Sequence, residues 1–453
     1  MKVSEDTGSK LVEELLAIPK FGEGVGLHRM LALCRELLSQ DWMNNLETIK
    51  VTGSNGKGAV CAMVASILRE LGVSCGLYTS PHLVKFNERI VVDGKQISDD
   101  ELREASEWMV QRRQEYEACY PVDRIGAFEL FTAIALYHFA KRQPEALVAE
   151  AGIGGRYDST RIIPGKIVGL TSLDLEHTSL LGNTLEMIAY DKADLCPEGG
   201  LLVAAPLDPE VWRRLQAYSN VRNITLISAA AHSDLRRVAF GETHMELDLN
   251  IDGLDLTGLR MKLQGYHQAA NLEIAVLLLR RWLKSRDRLV SDEQFEKAVR
   301  RAMATLVWPG RFERVARNPD VFIDVGHTPQ AIAACVRTAE TVLKGRRVLL
   351  VTGVSHDKNA EGIVKSLLPI ADAVICTRAY HKGSPPEMIS DIVRRSRPEM
   401  AVSTAATIEQ AMRDACLRAA EQKMVVMVAG GLFLSIEARQ SLEGKDPKAI
   451  RFF

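Results

Sequence analysis

The stretch that most constrains the fold is IKVTGSNGKGA, at residues 49–59. Apolar residues lead into a glycine-rich turn, and a run typical of a helix follows, so the pattern predicts a strand, a turn and a helix. Glycines let backbone N–H groups approach an anion closely, and the start of the following helix adds the positive end of its dipole. A lysine in the turn supplies a mobile positive charge. The turn therefore predicts a nucleoside-triphosphate site that contains Ser54, Asn55, Gly56, Lys57 and Gly58.

This turn departs from the general phosphate-loop pattern, which has four residues between its glycines and a Ser or Thr after its lysine. Only two residues separate Gly53 from Gly56, and Gly58 follows Lys57. A tight strand-to-helix turn that carries a surface lysine is the structural alternative.

The first half of the chain alternates short apolar strands with helical stretches. Such alternation predicts a mostly parallel, doubly wound α/β sheet, in which ligands gather at the carboxyl ends of the strands. The predicted helical stretches are 9–40, 58–71, about 99–113 with Asp99 or Asp100 as its cap, and 127–140. The further predicted strands are 74–78, 146–151, 167–173 and 201–205.

The pattern then changes. Residues 245–263 alternate apolar and polar side chains around Asp252-Gly253, which predicts an antiparallel hairpin. Helices are expected at 268–284 and 291–304, before Pro309-Gly310 breaks the chain. Further apolar strands are expected at 321–325, 347–353, 372–377, 400–403 and 424–429. We therefore expect two domains, residues 1–305 and a smaller α/β domain at 306–453.

The balance of charge gives no reason to expect nucleic acid or a membrane as a partner. The formal net charge is −1 over 453 residues, with acids and bases interspersed. The eight cysteines form no CxxC pair, and several lie in apolar runs, as core residues do in a reducing compartment. The first residues lack the apolar core of a signal peptide, and no apolar run reaches transmembrane length. We expect a soluble, cytoplasmic and monomeric protein.

Four single residues are candidates for chemistry, and each has a plainer interpretation. Glu150 ends an apolar strand, where a carboxylate needs a cation or hydrogen-bond donors, and a buried ion pair with an arginine would satisfy it equally well. His177 also follows a strand, but a lone histidine is more often structural. Ser80 can cap a turn before Pro81, and Lys192 can lie on a solvated helix face.

Together these residues lie in motifs that resemble a known family. The motifs, in chain order, are GSNGKGA, TSPHL with Glu88-Arg89-Ile90 after it, EAGIGGRYD, EHTSLLGNTLEMIAYDKA, GYHQAAN, WPGRFE, DVGHTPQA and AGGLFL. They follow the order found in the folylpolyglutamate and dihydrofolate synthases of the Mur ligase superfamily, over about residues 21–438. The resemblance implies a Mur-ligase-type central domain with a phosphate loop and a mostly parallel sheet, followed by a smaller Rossmann-like C-terminal α/β domain.

The resemblance also implies a reaction. In this family ATP phosphorylates a carboxylate, and the amine of an amino acid attacks the acyl phosphate to give an amide, ADP and phosphate. The implied catalytic residues are Lys57, Lys192, His177 and Arg311. The implied ligands of two Mg²⁺ ions are Ser80, Glu150 and His177. The implied contacts to the nucleotide and its γ-phosphate are Asn271, Arg311, Asp324 and His327, so that the two domains would close over ATP.

Two geometric expectations follow from these implied roles. Glu150 and His177 should approach within one metal shell, with Ser80 nearby. Lys192 matches a lysine that the family carbamylates, and either Asp191 or Asp194 would oppose this modification if it pointed inward. The angular spacing of a helix places Asp191 and Asp194 on a shared side, so we expect both acids to face away from the metal ions.

The chain departs from the family pattern close to the predicted site. Ser54 stands where the family has Thr, Ala59 where it has Ser, Glu176 where it has Asp, and Thr328 where it has Asn. The default substrates are a folate or pteroate acid and glutamate. The alternatives are the same chemistry on a different acid or amine, and a nucleotide-binding protein without catalysis.

Overall fold

The structure is a computed structural model that describes residues 18–19, 22 and 24–452. Within these residues the strands form one sheet of eight strands, one of four and one of six. The strands, numbered in chain order from β1 to β18, are Thr48–Thr52, Cys75–Tyr78, Ile90–Val92, Lys95–Gln96, Ala146–Glu150, Ile167–Leu170, Leu201–Ala204, Thr225–Ser228, Ser233–Phe240, Met245–Ile251, Leu254–Asp255, Leu259–Met261, Glu313–Ala316, Val321–Ile323, Arg347–Thr352, Ala373–Cys376, Ala401–Thr404 and Met424–Ala429.

The first sheet has the strand order β4-β3-β2-β5-β1-β6-β7-β8. The six strands from β2 to β8 in this order run parallel, whereas β3 and β4 form an antiparallel edge. The strand β1 lies at the centre between β5 and β6 and is buried along its whole length. The glycine turn that follows β1 therefore opens at the carboxyl edge of a parallel sheet, where such folds bind ligands.

Helices cover the sheets. The helix Lys57–Glu70 packs against Tyr266–Ser285 and Asp292–Thr305 and shares one apolar core with the second sheet. The helices are His28–Leu33, Arg35–Leu38, Asp41–Asn44, Lys57–Glu70, Asp99–Cys119, Ala127–Arg142, Thr178–Leu181, Leu185–Ala193, Pro209–Val221, Tyr266–Ser285, Asp292–Thr305, Pro329–Val342, Ala360–Leu367, Pro386–Ser396, Ile408–Gln422 and Leu432–Leu442. Short 3-10 turns lie at Phe86–Arg89, Ser159–Ile162, Ala229–Ala231, Leu368–Ile370 and Pro447–Ala449.

The second sheet is antiparallel and contains the predicted hairpin. β10 pairs with β11 across the turn at Asp252-Gly253, and its burial alternates strictly, as the sequence pattern predicted. β10 also pairs with β9, which the sequence analysis did not predict. β9 is mostly exposed and carries Asp and Arg side chains, so it lacks the apolar alternation that identifies a half-buried strand.

The third sheet has the order β13-β14-β18-β15-β16-β17. Five of these strands, β14 to β18, are the five that the sequence predicted after residue 310. The missed strand, β13, is a half-buried antiparallel edge next to β14. We call the part that carries the first two sheets the N-terminal lobe, and the part that carries the third sheet the C-terminal lobe. The predicted α/β class with mostly parallel sheets is confirmed.

Two predicted helix boundaries are wrong. Ser98, and not Asp99 or Asp100, caps the helix that follows, because its Oγ accepts from the backbone N–H of Glu101, and this helix ends at Cys119 rather than near residue 113. The predicted helical stretch 9–40 includes residues 9–17, which lie outside the described residues. Residues 24–27 are not helical, and glycine at two of these four positions disfavours a helix there.

Two further sequence expectations concern the whole chain. All eight cysteines are free, and six of them are buried, as expected for core residues. Among residues 24–452, no helix combines the length and apolar character that crossing a bilayer requires.

Candidate active site

A cavity of about 1040 Å³ lies between the two lobes, and we call it the central cavity. It brings together residues from Gly22 to Phe433, including the glycine turn after β1 and the loop after β14. The predicted site residues on its wall are Ser54, Asn55, Gly56, Lys57, Gly58, Ser80, Glu150, His177, Asn271, Arg311, Asp324 and His327. Lys192 is the predicted site residue that does not line this cavity, although its partner Glu176 does.

The glycine turn has a backbone conformation that favours glycine at two positions. Gly53 and Gly56 have φ angles of 138° and 91°, a region that side chains rarely allow. A Cβ on Gly56 would lie 2.6 Å from Oδ1 of Asn271, so the loop and the helix Tyr266–Ser285 are in close contact. The Lys57 ammonium folds back onto the loop, where it donates to the carbonyls of Gly53 and Ser54 at 2.9 and 3.4 Å.

Glu150 is a buried carboxylate at the carboxyl end of β5. Only 4% of the residue is exposed, and burial raises its pKa, although the charge of Lys57 opposes this shift. Its Oε2 accepts from the backbone N–H of Ser80 at 3.0 Å. A Cβ on Gly58 would lie 3.1 Å from the same oxygen, so the carboxylate also lies beside the start of the phosphate-loop helix.

His177 enters the site from the loop that follows β6. It has a left-handed backbone, with φ of 48°, immediately before the short helix Thr178–Leu181. His177, Glu150 and Ser80 all line the central cavity, but whether they share one metal shell stays a prediction.

Lys192 is buried in the helix Leu185–Ala193 and forms an ion pair with Glu176. Its Nζ lies 3.1 Å from Oε1 of Glu176, and 1% of its side chain is exposed. Burial and the charge of Lys57 lower the pKa of Lys192 to about 8. Burial alone would raise the pKa of Glu176, but the charges of Lys192 and Lys57 outweigh it and hold this pKa below its ordinary value.

Asp191 and Asp194 are hydrogen-bonded elsewhere. Asp191 accepts from the backbone N–H of Gly155, and Asp194 pairs with Arg156 and Arg222. The acid that reaches Lys192 is instead Glu176, one of the positions at which the chain departs from the family pattern.

The C-terminal lobe closes the central cavity from the opposite side. Both carboxylate oxygens of Asp324 accept backbone N–H groups, from Phe312 and Gly326. Arg311 lies close enough for its charge to lower the pKa values of both Asp324 and Glu150, against the effect of burial. Arg311 therefore places positive charge between the two lobes.

Hydrogen bonds join the lobes at the rim of the phosphate loop. Oγ1 of Thr328 donates to Oδ1 of Asn55 at 3.3 Å, and Nε2 of Gln330 donates to the carbonyl of Leu173 at 2.8 Å. Both donors belong to the motif DVGHTPQA, where Thr328 caps the helix Pro329–Val342 and Gln330 lies in its first turn. The motif therefore joins the two lobes, and its contact with a nucleotide stays a prediction.

Several residues of the cavity wall were missed from the sequence. No role was assigned to them, and they include Arg29, Arg89, Phe128, Tyr157, Arg337, Lys358 and Lys382. A signal existed for Arg89, which belongs to the quoted motif Glu88-Arg89-Ile90. Tyr157 likewise belongs to the quoted motif EAGIGGRYD, whereas the remaining five lie on helices and loops that only the tertiary fold brings together.

Comparison with known proteins agrees with this arrangement. Residues 310–432 match the family described as Mur ligase, glutamate ligase domain. The chain is 31% identical over 366 residues to the dihydrofolate synthase/folylpolyglutamate synthase of Bacillus subtilis, and the alignment covers 78% of this chain and 81% of that protein. The crystal structure of Mycobacterium tuberculosis folylpolyglutamate synthase complexed with ADP and AMPPCP has a TM-score of 0.85 and 26% identity, over 98% of this chain and 100% of that one.

A longer relative also matches. The "Probable bifunctional folylpolyglutamate synthase/dihydropteroate synthase" of Haloferax volcanii is 32% identical over 416 residues, which cover 89% of this chain and 47% of that protein. The chain thus spans about half the length of this relative. The match to the Bacillus subtilis protein, in contrast, covers most of both sequences. The chain therefore belongs to the folylpolyglutamate synthase/dihydrofolate synthase family of the Mur ligases.

Proposed function

We propose that this protein is an ATP-dependent ligase that joins a carboxylate to the amine of an amino acid, with release of ADP and phosphate. The observation that carries the proposal is the central cavity, where the phosphate loop of one lobe faces Arg311 of the other across the buried carboxylate of Glu150. Phosphoryl transfer requires positioning and charge neutralisation more than covalent help from the protein, and this arrangement supplies both.

Residues of both lobes would take part in the reaction. Backbone N–H groups of the phosphate loop and the ammonium of Lys57 would hold the ATP phosphates, and Arg311 would neutralise the charge that develops on the transferred group. The acid attacks the γ-phosphorus, ADP leaves, and the amine then displaces phosphate from the acyl phosphate. Contact between the lobes at Thr328 and Asn55 supports closure over the nucleotide, which would keep water away from the acyl phosphate.

Mg²⁺ fits the residues at the edge of the first sheet. Ser80, Glu150 and His177 would hold it, and Glu150 is a buried carboxylate whose charge a cation would balance. Among the described residues no three His, Cys, Asp or Glu side chains form a metal cage by themselves. Mg²⁺ is commonly bound by one or two carboxylates together with phosphate oxygens and water, so a small protein donor set is sufficient. When bound, the ion supplies positive charge to the phosphoryl oxygens.

We also propose that Lys192 carries a carbamate. The lowered pKa favours a neutral amine, which can add carbon dioxide and release a proton, whereas the ion pair with Glu176 stabilises the ammonium. NMR of protein equilibrated with ¹³C-bicarbonate separates the two states. A carbamate signal that is absent in Lys192→Ala supports the modification, and its absence from the wild-type protein means that Lys192 stays paired with Glu176.

The proposed substrates follow the names of the relatives, and the default pair is a folate or pteroate acid with glutamate. ADP release should be measured with dihydropteroate, tetrahydrofolate and a panel of amino acids. We expect release that requires both an acid and an amine. Release with an acid outside the folate class would assign the same chemistry to another pathway, and nucleotide binding without any such release would contradict the ligase proposal.

Lys57→Ala is the variant that tests the phosphate loop in the same assay. Because Lys57 is partly exposed at the first position of its helix, on the wall of the central cavity, we expect a folded protein that has lost ADP release. The exposed Lys262→Ala is the matched control and should keep wild-type turnover. Near wild-type turnover in a folded Lys57→Ala variant would refute the phosphate-loop assignment.

The proposal also includes the division into domains, the cellular location and the oligomeric state. The division into domains at residues 1–305 and 306–453 is supported by the separate sheet of the C-terminal lobe. The free cysteines support a cytoplasmic location. A monomeric state is consistent with a cavity built entirely from one chain.

A further inference from the structure

Arg89 is a buried cation on the wall of the central cavity. It ends the 3-10 turn Phe86–Arg89, immediately before β3, and is 1% exposed. Its Nε donates to Nδ1 of His82 at 2.8 Å, but its Nη2 is buried and has no hydrogen-bond partner. A buried donor without an acceptor costs free energy, so such a group indicates a place where a bound molecule supplies the acceptor.

Arg29 provides an internal comparison, because it lines the same cavity and is 2% exposed. Its Nε lies 2.9 and 3.1 Å from the two carboxylate oxygens of Glu129, and its Nη1 donates to Asp123 at 2.8 Å. The protein therefore neutralises Arg29 with two carboxylates. Within residues 24–452, Arg89 forms no comparable ion pair.

Aromatic rings occupy part of the space around the Arg89 guanidinium. Its Cζ lies 5.0 Å from the ring centroid of Phe131 and 5.4 Å from that of Phe86. Burial lowers the pKa of Arg89 to about 10, and the negative charge of Glu150 acts in the opposite direction. The side chain is therefore still a cation at neutral pH, held rigidly with one face against apolar groups.

The position of Arg89 places a bound anion beside the proposed reaction centre. Arg89 fixes His82, which belongs to the same loop as Ser80, and the backbone of Ser80 in turn donates to Glu150. His82 also bonds through Nε2 to the carbonyl of Arg451 at 2.7 Å, so this loop is held from both lobes. Arg89 therefore supports the loop that carries Ser80 through its Nε, while its Nη2 still lacks a partner.

We propose that Arg89 binds a carboxylate group of one of the two organic substrates. This inference rests on the proposed ligase function, in which both the acid and the amino acid carry carboxylates. A planar guanidinium matches a carboxylate with two parallel hydrogen bonds, and such charge-assisted bonds are strong where water is excluded. The two sources of the carboxylate are the acid that is ligated and the α-carboxylate of the incoming amino acid.

The test uses Arg89→Gln and Arg89→Lys, with KM measured separately for acid, amino acid and ATP. Loss of a buried charge-assisted hydrogen bond should raise the KM of one organic substrate by about tenfold or more, while the KM for ATP stays unchanged. Arg89→Lys keeps the charge but loses the planar fork, and it decides the question if Arg89→Gln does not fold.

The two sources give different results. If the acid is bound, its KM alone rises. If the amino acid is bound, its KM rises and the preference for glutamate over its α-amide disappears, an effect that a purely structural role would not produce. An unchanged KM for both organic substrates, or a rise confined to ATP, would overturn the proposal.

Calorimetry makes this test independent of turnover. Binding of dihydropteroate and of glutamate is measured on the wild-type protein with a non-hydrolysable ATP analogue present. Binding that Arg89→Lys weakens would support the carboxylate site even if the wild-type protein releases no ADP, in which case the ligase proposal fails alone. Binding of equal strength in wild type and Arg89→Lys, or no binding of either carboxylate to the wild type, would overturn the role of Arg89.

Discussion

Lys50 is a buried ammonium on the central strand β1, four residues before the phosphate loop reaches Ser54. It is 2% exposed, and its Nζ donates to the carbonyl of Ile163 at 3.0 Å. Burial lowers its pKa from about 10.5 to about 8. A lowered lysine pKa means that the folded chain binds protons less strongly than the unfolded chain at this position, so a charged Lys50 opposes folding.

The sign of this effect gives a prediction for Lys50→Met. Below pH 8 the full cost of the buried charge is present, and between pH 8 and 10.5 it disappears, so the wild-type free energy of unfolding should rise with pH in that window. The lowered pKa of Lys50 corresponds to a loss of ~3 kcal/mol in the free energy of unfolding. Lys50→Met removes this cost but also loses the hydrogen bond to Ile163, which offsets about 1 kcal/mol. We expect Lys50→Met to be about 2 kcal/mol more stable at pH 7.

Urea unfolding of both proteins at pH 7 and at several values up to pH 10.5 checks this expectation. Lys192 also has a lowered pKa, so only the difference between wild type and variant isolates Lys50. A variant that is less stable at pH 7, or a difference that does not change with pH, would contradict the burial argument.

The phosphate loop shows how one element depends on its neighbours. Gly56 has a left-handed φ of 91°, and a Cβ at this position would lie 2.6 Å from Oδ1 of Asn271. Gly72, at the other end of the same helix, has a φ of 73° and open space around its Cβ position. Comparing alanine substitutions at Gly56 and Gly72 therefore separates the free-energy cost of backbone strain from the cost of a collision with Asn271.

We expect Gly72→Ala to lose about 1 kcal/mol of stability from strain alone and to bind ATP normally. Gly56→Ala adds the collision with Asn271, a predicted nucleotide contact, and should lose more stability and at least about tenfold in ATP affinity, the equivalent of ~1.4 kcal/mol. Thermal unfolding and calorimetric titration with ATP measure the two effects. Equal stability and equal ATP affinity of the two variants would show that the loop can move away from Asn271 without loss of either property.

At the scale of the whole molecule, the site exists only where the two lobes meet. Gln330 at the start of the helix Pro329–Val342 donates to the carbonyl of Leu173, which follows β6 of the other lobe. The bond contributes about 1 kcal/mol to the closed arrangement, enough to change its equilibrium about fivefold. Because the nucleotide contacts are predicted on both lobes, closure and ATP binding should be coupled.

Gln330→Ala should therefore weaken ATP binding by up to about fivefold and increase the radius of gyration of the nucleotide-free protein. Calorimetry and small-angle X-ray scattering measure these quantities. Gln111→Ala, on an exposed helix of the N-terminal lobe, is the matched control and should change neither. Unchanged affinity together with unchanged scattering in Gln330→Ala would show that this contact does not hold the lobes.

Local sequence patterns were sufficient to predict most of the strands in the two mostly parallel sheets. The strands after residue 310 and the turn at Asp252-Gly253 are predictable because apolar periodicity and turn chemistry act over a few neighbouring residues. Strands β3, β4, β8, β9 and β13 were missed. They are short or lack clear apolar alternation, and their place at or next to a sheet edge follows from tertiary pairing. The same limit explains why Ser98 was not identified as the cap before Asp99, since neighbouring acids offer the same local signal.

Tertiary structure alone decided which side chains meet. Glu176 is next to His177 in the sequence, but the sequence could not show that its carboxylate reaches Lys192, sixteen residues later. That contact depends on how the loop after β6 packs against the helix Leu185–Ala193. Arg29 and Arg89 are both buried arginines, yet of the two only Arg29 has carboxylate partners, about 100 residues away in the chain. Pairing of buried charges is a long-range property, so the fold, and not the local pattern, separates a structural arginine from one that is free to bind a substrate.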